Sequence, residues 1–413
     1  MKICLISEEF PPETGWGGIG THTYNLSLAL SELGHEVHVL TKSVNGREYN
    51  SENGNLHIYR ISEIVSDSQS LNTISKAVPK IQGSRLFAGF NEFPLKTLRR
   101  GAAVSKWLKG KQPFDIIEAP DYGGETFWCQ FIERINTPIV IKLHTPLFLT
   151  QRLNSVPKEN ISVKLRKWME KYSVTHAASV ISPTKSLADI ISREFHIDGI
   201  DVIPNCIDTD LFDFKEKDSA RKEKIVLYAG RLERRKGVEV LAKAIPLVVK
   251  AIPNAKFIFV GRDTPTAEGG FSMKSWLEDY FEEAGVREYV ELAGEKKRTE
   301  IPSYYRKADI CVLPSIWENL PYTCLEAMSC GTPVVASSVG GFAEIITDGI
   351  DGFLFKTGNY ADLSRQVITA FKLKDLHEFS HRARKKIENT YSHRIIAAKT
   401  IEHYKNVIRM IRK

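Results

Sequence analysis

No apolar run in the chain approaches the roughly 20 residues needed to cross a bilayer as a helix, which excludes a helical membrane protein. There is no C-x-x-C pair, which excludes zinc-ribbon and thioredoxin-type sites. The six cysteines (Cys4, Cys129, Cys206, Cys311, Cys324 and Cys330) are scattered, mostly inside apolar runs where a free thiol packs as a small hydrophobe. A reducing cytoplasmic setting is therefore expected. The opening Met1-Lys2-Ile3-Cys4 leads directly into a strand pattern and then Glu8 and Glu9, which is not the pattern of a signal peptide. There is no repeat of solenoid period and no low-complexity tract. Acid is nearly missing from one stretch: Leu71 to Pro113 holds nine basic residues (Lys76, Lys80, Arg85, Lys96, Arg99, Arg100, Lys106, Lys109 and Lys111) against Glu92 alone.

That basic stretch is interleaved with Ile81, Phe87, Phe90, Phe93, Leu98 and Trp107, a composition that suits an anionic membrane surface and places the protein at the inner face of the cytoplasmic membrane. A solvated helical face accounts for it equally well. No nucleic-acid partner is expected, because no reader motif accompanies the charge.

What is present is an ordinary globular composition, 42% hydrophobic and 26% charged over 413 residues, enough for two large domains. Short apolar runs alternate with helix-length periodic segments, the pattern of βαβ units and parallel sheets. The predicted strands of the first half include Ile3 to Ser7, Val37 to Thr41, Asp115 to Glu118 and Ile139 to His144. Those of the second include Lys224 to Gly230, Phe257 to Gly261, Ile310 to Pro314 and Pro333 to Ala336. Two doubly wound α/β halves follow, with a seam in the polar residues 203–224 and ligand residues in loops at the strands' carboxyl ends.

Gly15, Gly17 and Gly20 form a G-x-G-x-x-G ahead of a helix predicted over Thr23 to Leu33. A dinucleotide site would need the turn at once after the strand and an acid ending the second strand. Here "EEFPPET" intervenes, and the second strand ends in Thr41-Lys42, which argues against a nicotinamide or flavin enzyme. What remains is a glycine loop at a helix start, suited to a phosphate or a sugar held close to the backbone.

In "LYAGRLERRKG", Arg231 and Lys236 lie in a loop after a strand, where two fixed cations suit a diphosphate. A solvated charged loop is the other reading, and Arg234 and Arg235 are taken as surface charge. In "LPSIWENLPYTCLEAMSCGTPVVAS", Pro321 reads as the first residue of a helix and Gly331 as its stop. The N–H groups of Tyr322 and Thr323 then face a phosphate, aided by the helix dipole. Glu318 precedes that helix and Glu326 lies within it, each able to reach sugar hydroxyls; a helix-surface role for Glu326 stands as the alternative.

The Glu318-x7-Glu326 spacing, the "AGRLERRKG" and "GGIG" loops, "IPNCIDTDLF" and "GTPVVASSVGGFAEII" together resemble retaining glycosyltransferase family 4, of the two-domain GT-B fold, from Met1 to about Asp362. The resemblance implies a first Rossmann-like domain over 1–205 on the acceptor side, a nucleotide-sugar-binding domain over 206–391, and a final helix over 392–413 returning to the first. It implies a nucleotide-sugar donor (UDP-, GDP- or ADP-sugar), with Glu326 on the ribose and Arg231 and Lys236 on the diphosphate. Glu318, with the backbone of Asn319 and Leu320, would hold the transferred sugar, as would His144. Gly17 and Gly18 would approach the donor phosphate or the acceptor. The loop from Asp121 and Tyr122 to Gly124 would contribute to an acceptor site. Asp208-x-Asp210 falls in the interdomain phrase and is not read as a metal site; no metal and no cofactor beyond the donor are expected. Asn319 replaces the family's usual glycine after the first Glu, leaving the sugar open, and Trp16 stands where starch and glycogen synthases carry lysine, which argues against an ADP-glucose polymerase.

The implied activity is hexosyl transfer with retention to an acceptor hydroxyl, in envelope polysaccharide or glycolipid synthesis with a saccharide or lipid-linked acceptor. Transfer to a small soluble sugar or sugar phosphate and nucleotide-sugar epimerisation are the alternatives.

Overall fold

Two sheets divide the chain. The computed structural model describes residues 1–62, 93–111, 113–153, 161–215, 222–373 and 376–412. Met1–Cys206 and Ile396–Lys413 form one compact unit, and Ile207–Ile395 form the other.

The first unit carries β1 (Lys2–Ile6), β2 (Glu36–Lys42), β3 (Tyr49–Asn53), β4 (Leu56–Ile61), β5 (Ile116–Pro120), β6 (Ile139–Lys142), β7 (Ser179–Ser182) and β8 (Asp201–Val202). They lie in the order β3-β4-β2-β1-β5-β6-β7-β8, all parallel except β3, which runs antiparallel to β4. Strand β3 has no counterpart in the sequence reading: "YNSEN" is exposed throughout and has no apolar alternation, so its place is set by backbone pairing with β4 across the Gly54 turn. Ile3, Leu5, Val37, Val39, Ile116 and Val140 form the core under the helix Gly18–Glu32. The last helix, His393–Ile411, lays Ile396, Ala397, Ile401, Tyr404 and Val407 into that same core.

The helix expected from Thr23 starts at Gly18, with Gly17 as its extended N-cap. Glycine's poor helix propensity hides this first turn from periodicity. At Gly20 the chain before the helix runs close alongside: a Cβ there would lie 3.0 Å from Glu9 Cβ.

The second unit carries β9 (Lys224–Ala229), β10 (Ala255–Val260), β11 (Val290–Gly294), β12 (Ile310–Leu313), β13 (Val334–Ser337) and β14 (Phe353–Phe355), parallel throughout, in the order β11-β10-β9-β12-β13-β14. Both faces of this sheet are covered. Val226 and Tyr228 enter one apolar cluster, while Ile225, Leu227 and Ala229 enter the other, which is why β9 reads as an unbroken apolar run. The connections diverge between β9 and β12, the position where such sheets bind ligands beyond their carboxyl ends.

Candidate functional site

In the second unit, loops leaving the adjacent strands β9, β12 and β13 converge on Glu318. The first two are locked by contact: a Cβ on Gly237 would lie 1.8 Å from the Pro314 carbonyl oxygen, so only glycine lets the loops touch. The Ile316 N–H donates to the Arg235 carbonyl at 2.9 Å. The third loop presses Gly340 and Gly341 onto the Glu318-Asn319 backbone, with the Gly341 N–H donating to the Glu318 carbonyl at 3.0 Å.

Held in this way, Glu318 is buried and faces Lys236 Nζ at 2.5 Å, with Arg235 Nη1 at 3.6 Å. Burial pushes its carboxyl up, but Lys236 and then Arg235 outweigh that and hold it below the ordinary carboxylate range. Arg231, the other expected cation, is exposed and pairs with Glu233 at 3.0 Å, while its carbonyl accepts from the buried Tyr228 hydroxyl at 2.6 Å. By sequence Arg235 reads as one of the surface charges. It is instead the second cation on Glu318, and it also donates to the Trp317 carbonyl at 3.2 Å. A side chain's direction is not visible in a run of "ERRK".

Pro321 is the extended N-cap of the helix Tyr322–Ser329, which therefore starts one position after the expected Pro321. Asn319, Tyr322 and Thr323 are half-buried at this N-terminus, and Leu320 is buried in the apolar cluster beneath it. Gly331 (φ 71°) ends the segment as expected. Glu326 belongs to a separate cluster: its carboxylate accepts from the Tyr305 hydroxyl at 3.0 Å and lies 3.6 Å from Arg298. Burial raises its carboxyl above the usual range, with Arg298 and Tyr305 offsetting only part of that. Neither partner carries a motif in the sequence; the fold alone brings them there. Asp208 caps the N–H groups of Asp210 and Leu211, and Asp210 pairs with Arg394 at 2.6 Å, so the D-x-D serves the chain's own structure.

In the first unit, β5 and β6 end side by side, delivering Asp121 and His144. Asp121 is fully buried and its Oδ1 accepts the His144 N–H at 2.9 Å, so it shapes the loop from within. Burial, then the charge of Glu170, pushes its carboxyl up to about 8. Tyr122 packs its ring 4.5 Å beneath the Arg166 guanidinium. His144 is buried, and burial followed by the charges of His22 and Lys142 keeps its imidazole neutral. Its ring meets the His22 ring edge-on at 5.3 Å.

His22 belongs to a network absent from the sequence reading. Its Nε2 lies 3.1 Å from Glu118, which also accepts from the Tyr404 hydroxyl at 2.6 Å. Beside it the buried Lys142, pushed down to about 8 by burial, donates to the Ile203 carbonyl. At the glycine loop, a Cβ on Gly17 would lie 2.1 Å from Glu9 Oε2, whereas Gly18 is open.

Of the basic stretch, 71–92 and 112 lie outside the described residues, and 93–111 form the helix Phe93–Lys111. Arg100 does not belong to an exposed basic face: it is buried against Glu125, with Nε to Oε2 at 3.0 Å. Among the described residues, no helix is long and apolar enough to cross a membrane.

Residues 16–211 match the model of Glycosyltransferase Family 4, and 210–390 match that of Glycosyl transferases group 1. An uncharacterized glycosyltransferase of Methanocaldococcus jannaschii is 28% identical, with all of both chains covered. Sucrose-phosphate synthase from Thermosynechococcus elongatus superposes with a TM-score of 0.78 at 21% identity, covering 99% of each chain. An Anabaena protein solved with UDP and glucose superposes at 0.67 and 18% identity, covering 98% of this chain and all of its own. The fold these likenesses share is GT-B.

Proposed function

The chain belongs to family 4 of the GT-B glycosyltransferases, and from that premise we propose that it transfers a hexose from a nucleoside diphosphate to an acceptor hydroxyl with retention at the anomeric carbon. The observation that carries the donor reading is the convergence of three strand-end loops on Glu318, with Lys236 and Arg235 against its carboxylate. In this reading the donor diphosphate lies at Lys236, Arg231 and the helix N-terminus at Tyr322, which meet the charge that develops as the bond from anomeric carbon to phosphate oxygen breaks. Glu318 and the backbone of Asn319 and Leu320 take the sugar, and Glu326 takes the ribose. In the first unit, His144 is the residue assigned to the transferred sugar, Gly17 and Gly18 to phosphate or acceptor, and Asp121 and Tyr122 to the walls of the acceptor loop. The acceptor's proton passes to the leaving phosphate, so no protein nucleophile is required. With cations built into the site, turnover should survive EDTA.

The donor proposal is supported by the Anabaena neighbour solved with UDP and glucose. For the acceptor we favour a saccharide or lipid-linked glycan, acting at a membrane face. A second reading, a small soluble sugar phosphate, is supported by the neighbour named for making sucrose phosphate. The experiment is a thermal-shift screen of UDP-, GDP- and ADP-sugars, since a donor that binds only the native state raises Tm. Turnover with each acceptor class, and the anomeric configuration of the product by NMR, follow. If no nucleotide sugar stabilises the protein, or if a donor alone is epimerised, the proposal fails.

A further inference from the structure

At the amino-terminal end of the first unit's sheet, opposite the end that carries Asp121 and His144, a row of metal-ligating side chains crosses three strands. His38 of β2 is in register with His57 of β4, and His57 is in register with Glu52 of β3. Glu36 stands two residues before His38 on β2, and so on the same face. The two imidazoles stack with centroids 4.8 Å apart. Glu36 Oε1 lies 2.8 Å from His38 Nε2, and Glu52 Oε1 lies 3.1 Å from His57 Nδ1. We propose that Glu36, His38 and His57, with Glu52 as a fourth ligand, bind a divalent transition-metal ion of the zinc type.

One ligand atom each from Glu36, His38 and His57 already lies within 4.8 Å of the others, and among the described residues this is the single such group. Tetrahedral zinc, with bonds of about 2.0–2.2 Å, sets its ligand atoms about 3.3 Å apart. The remaining gap is closed by side-chain movement of Glu36 and Glu52, which are exposed. Two imidazoles with carboxylate oxygens form a donor set that suits zinc over calcium or magnesium. One ring nitrogen is also unsatisfied by protein: Nδ1 of His38 is buried without a hydrogen-bond partner, an arrangement a buried ring nitrogen rarely keeps. His38 is 5% exposed, walled by the rings of Tyr59 and Phe114, which fixes its orientation and excludes water. Lys2, 3.5 Å from Glu36, is the cation an incoming ion must displace.

The test is calorimetric titration of Zn²⁺ into the full-length, tag-free protein after EDTA treatment and dialysis, with Co²⁺ absorption as a second readout. One ion per chain is expected, with the visible bands of tetrahedral Co²⁺. His57→Ala, and separately the surface pair Glu36→Gln with Glu52→Gln, should weaken binding roughly tenfold or more. The exposed pair His377 and His381, with Nε2 atoms 3.3 Å apart, is a competing site, so His377→Ala with His381→Ala is the control and should leave the tight ion in place. Absence of Zn²⁺ heat and Co²⁺ bands, or binding lost in that control but kept in His57→Ala, overturns the proposal. Donor binding should not depend on the ion.

Discussion

The Nζ of Lys236 and the Nη1 of Arg235 approach the same oxygen, Oε1 of Glu318, at 2.5 and 3.6 Å. A lysine and an arginine from the loop after β9 thus meet one buried carboxylate from the loop after β12. Each cation is oriented by a partner that the donor's sugar would also contact, so their positions are set before a diphosphate arrives.

Lys236→Ala should therefore lower kcat by about 10² to 10³, the cost of removing one preorganised charge from a developing oxyanion. Arg235→Ala should lower it too, although the sequence alone gives no reason to choose Arg235 over Arg234. Steady-state kinetics with saturating donor measure both, and wild-type kcat in either variant shows that the residue does not act in the chemical step. Lys236→Ala has a second signature. Glu318 is depressed in the folded state, so its contribution to stability is present above its unfolded pKa and is lost as pH falls through the folded one. Without Lys236 that contribution shrinks, and acid unfolding should begin at a higher pH.

Glu326→Gln and Tyr305→Phe should act on donor affinity. The carboxylate and its tyrosine form one cluster with Arg298, apart from Glu318. A ribose contact is similar in ground and transition states, so its loss should raise the donor KM roughly tenfold to a hundredfold and leave kcat nearly unchanged. A kcat collapse at constant KM would move Glu326 into the chemical step.

The architecture was legible because both sheets bury both faces, and such strands appear as unbroken apolar runs such as Lys224–Ala229. Strand Tyr49–Asn53 was not, because an exposed edge strand carries no burial pattern. At the site, spacing pointed to Glu318 and Lys236, and the structure joins them. Arg235, Arg298, Tyr305 and the His22–Glu118–Tyr404 network were invisible because each depends on partners from 21 to 286 residues away. Spacing along the chain records local geometry only, so a contact between separate loops leaves no mark in it.

The glycines give a graded stability test. A Cβ on Gly341 would lie 1.7 Å from the Asn319 carbonyl oxygen, a backbone atom that cannot turn aside. On Gly17 the nearest atom is the far end of the Glu9 side chain, and on Gly18 nothing lies within 4 Å. Gly18→Ala should leave Tm near wild type, and Gly17→Ala should cost little because Glu9 can rotate. Gly341→Ala should cost more than about 3 kcal/mol and weaken donor binding through Glu318. Equal Tm values for Gly341→Ala and Gly18→Ala would show that the loop after β13 does not hold the Glu318-Asn319 backbone.

Asp121 makes a claim about pH. Its carboxyl is fully buried and raised to about 8, while in the unfolded chain it titrates near about 3.9. Between those values the native state binds a proton that the unfolded state has lost, so stability falls as pH rises. The contribution is complete below the unfolded pKa and is gone above the folded one. Oδ1 accepts the His144 N–H, and Oδ2 is buried with no hydrogen-bond partner. Asp121→Asn keeps the accepting oxygen and removes the titration. The variant should match wild type near pH 4 and become the more stable protein toward pH 8, the gap growing by no more than about 1.4 kcal/mol per pH unit. Glu170 is raised by burial as well, so the comparison is the difference between the two proteins at each pH, read as the shift in urea midpoint. If wild type instead gains on Asp121→Asn as pH rises, Asp121 is ionised in the folded protein. The charge of its carboxylate, rather than the shape of a neutral acid, would then hold the loop that carries His144.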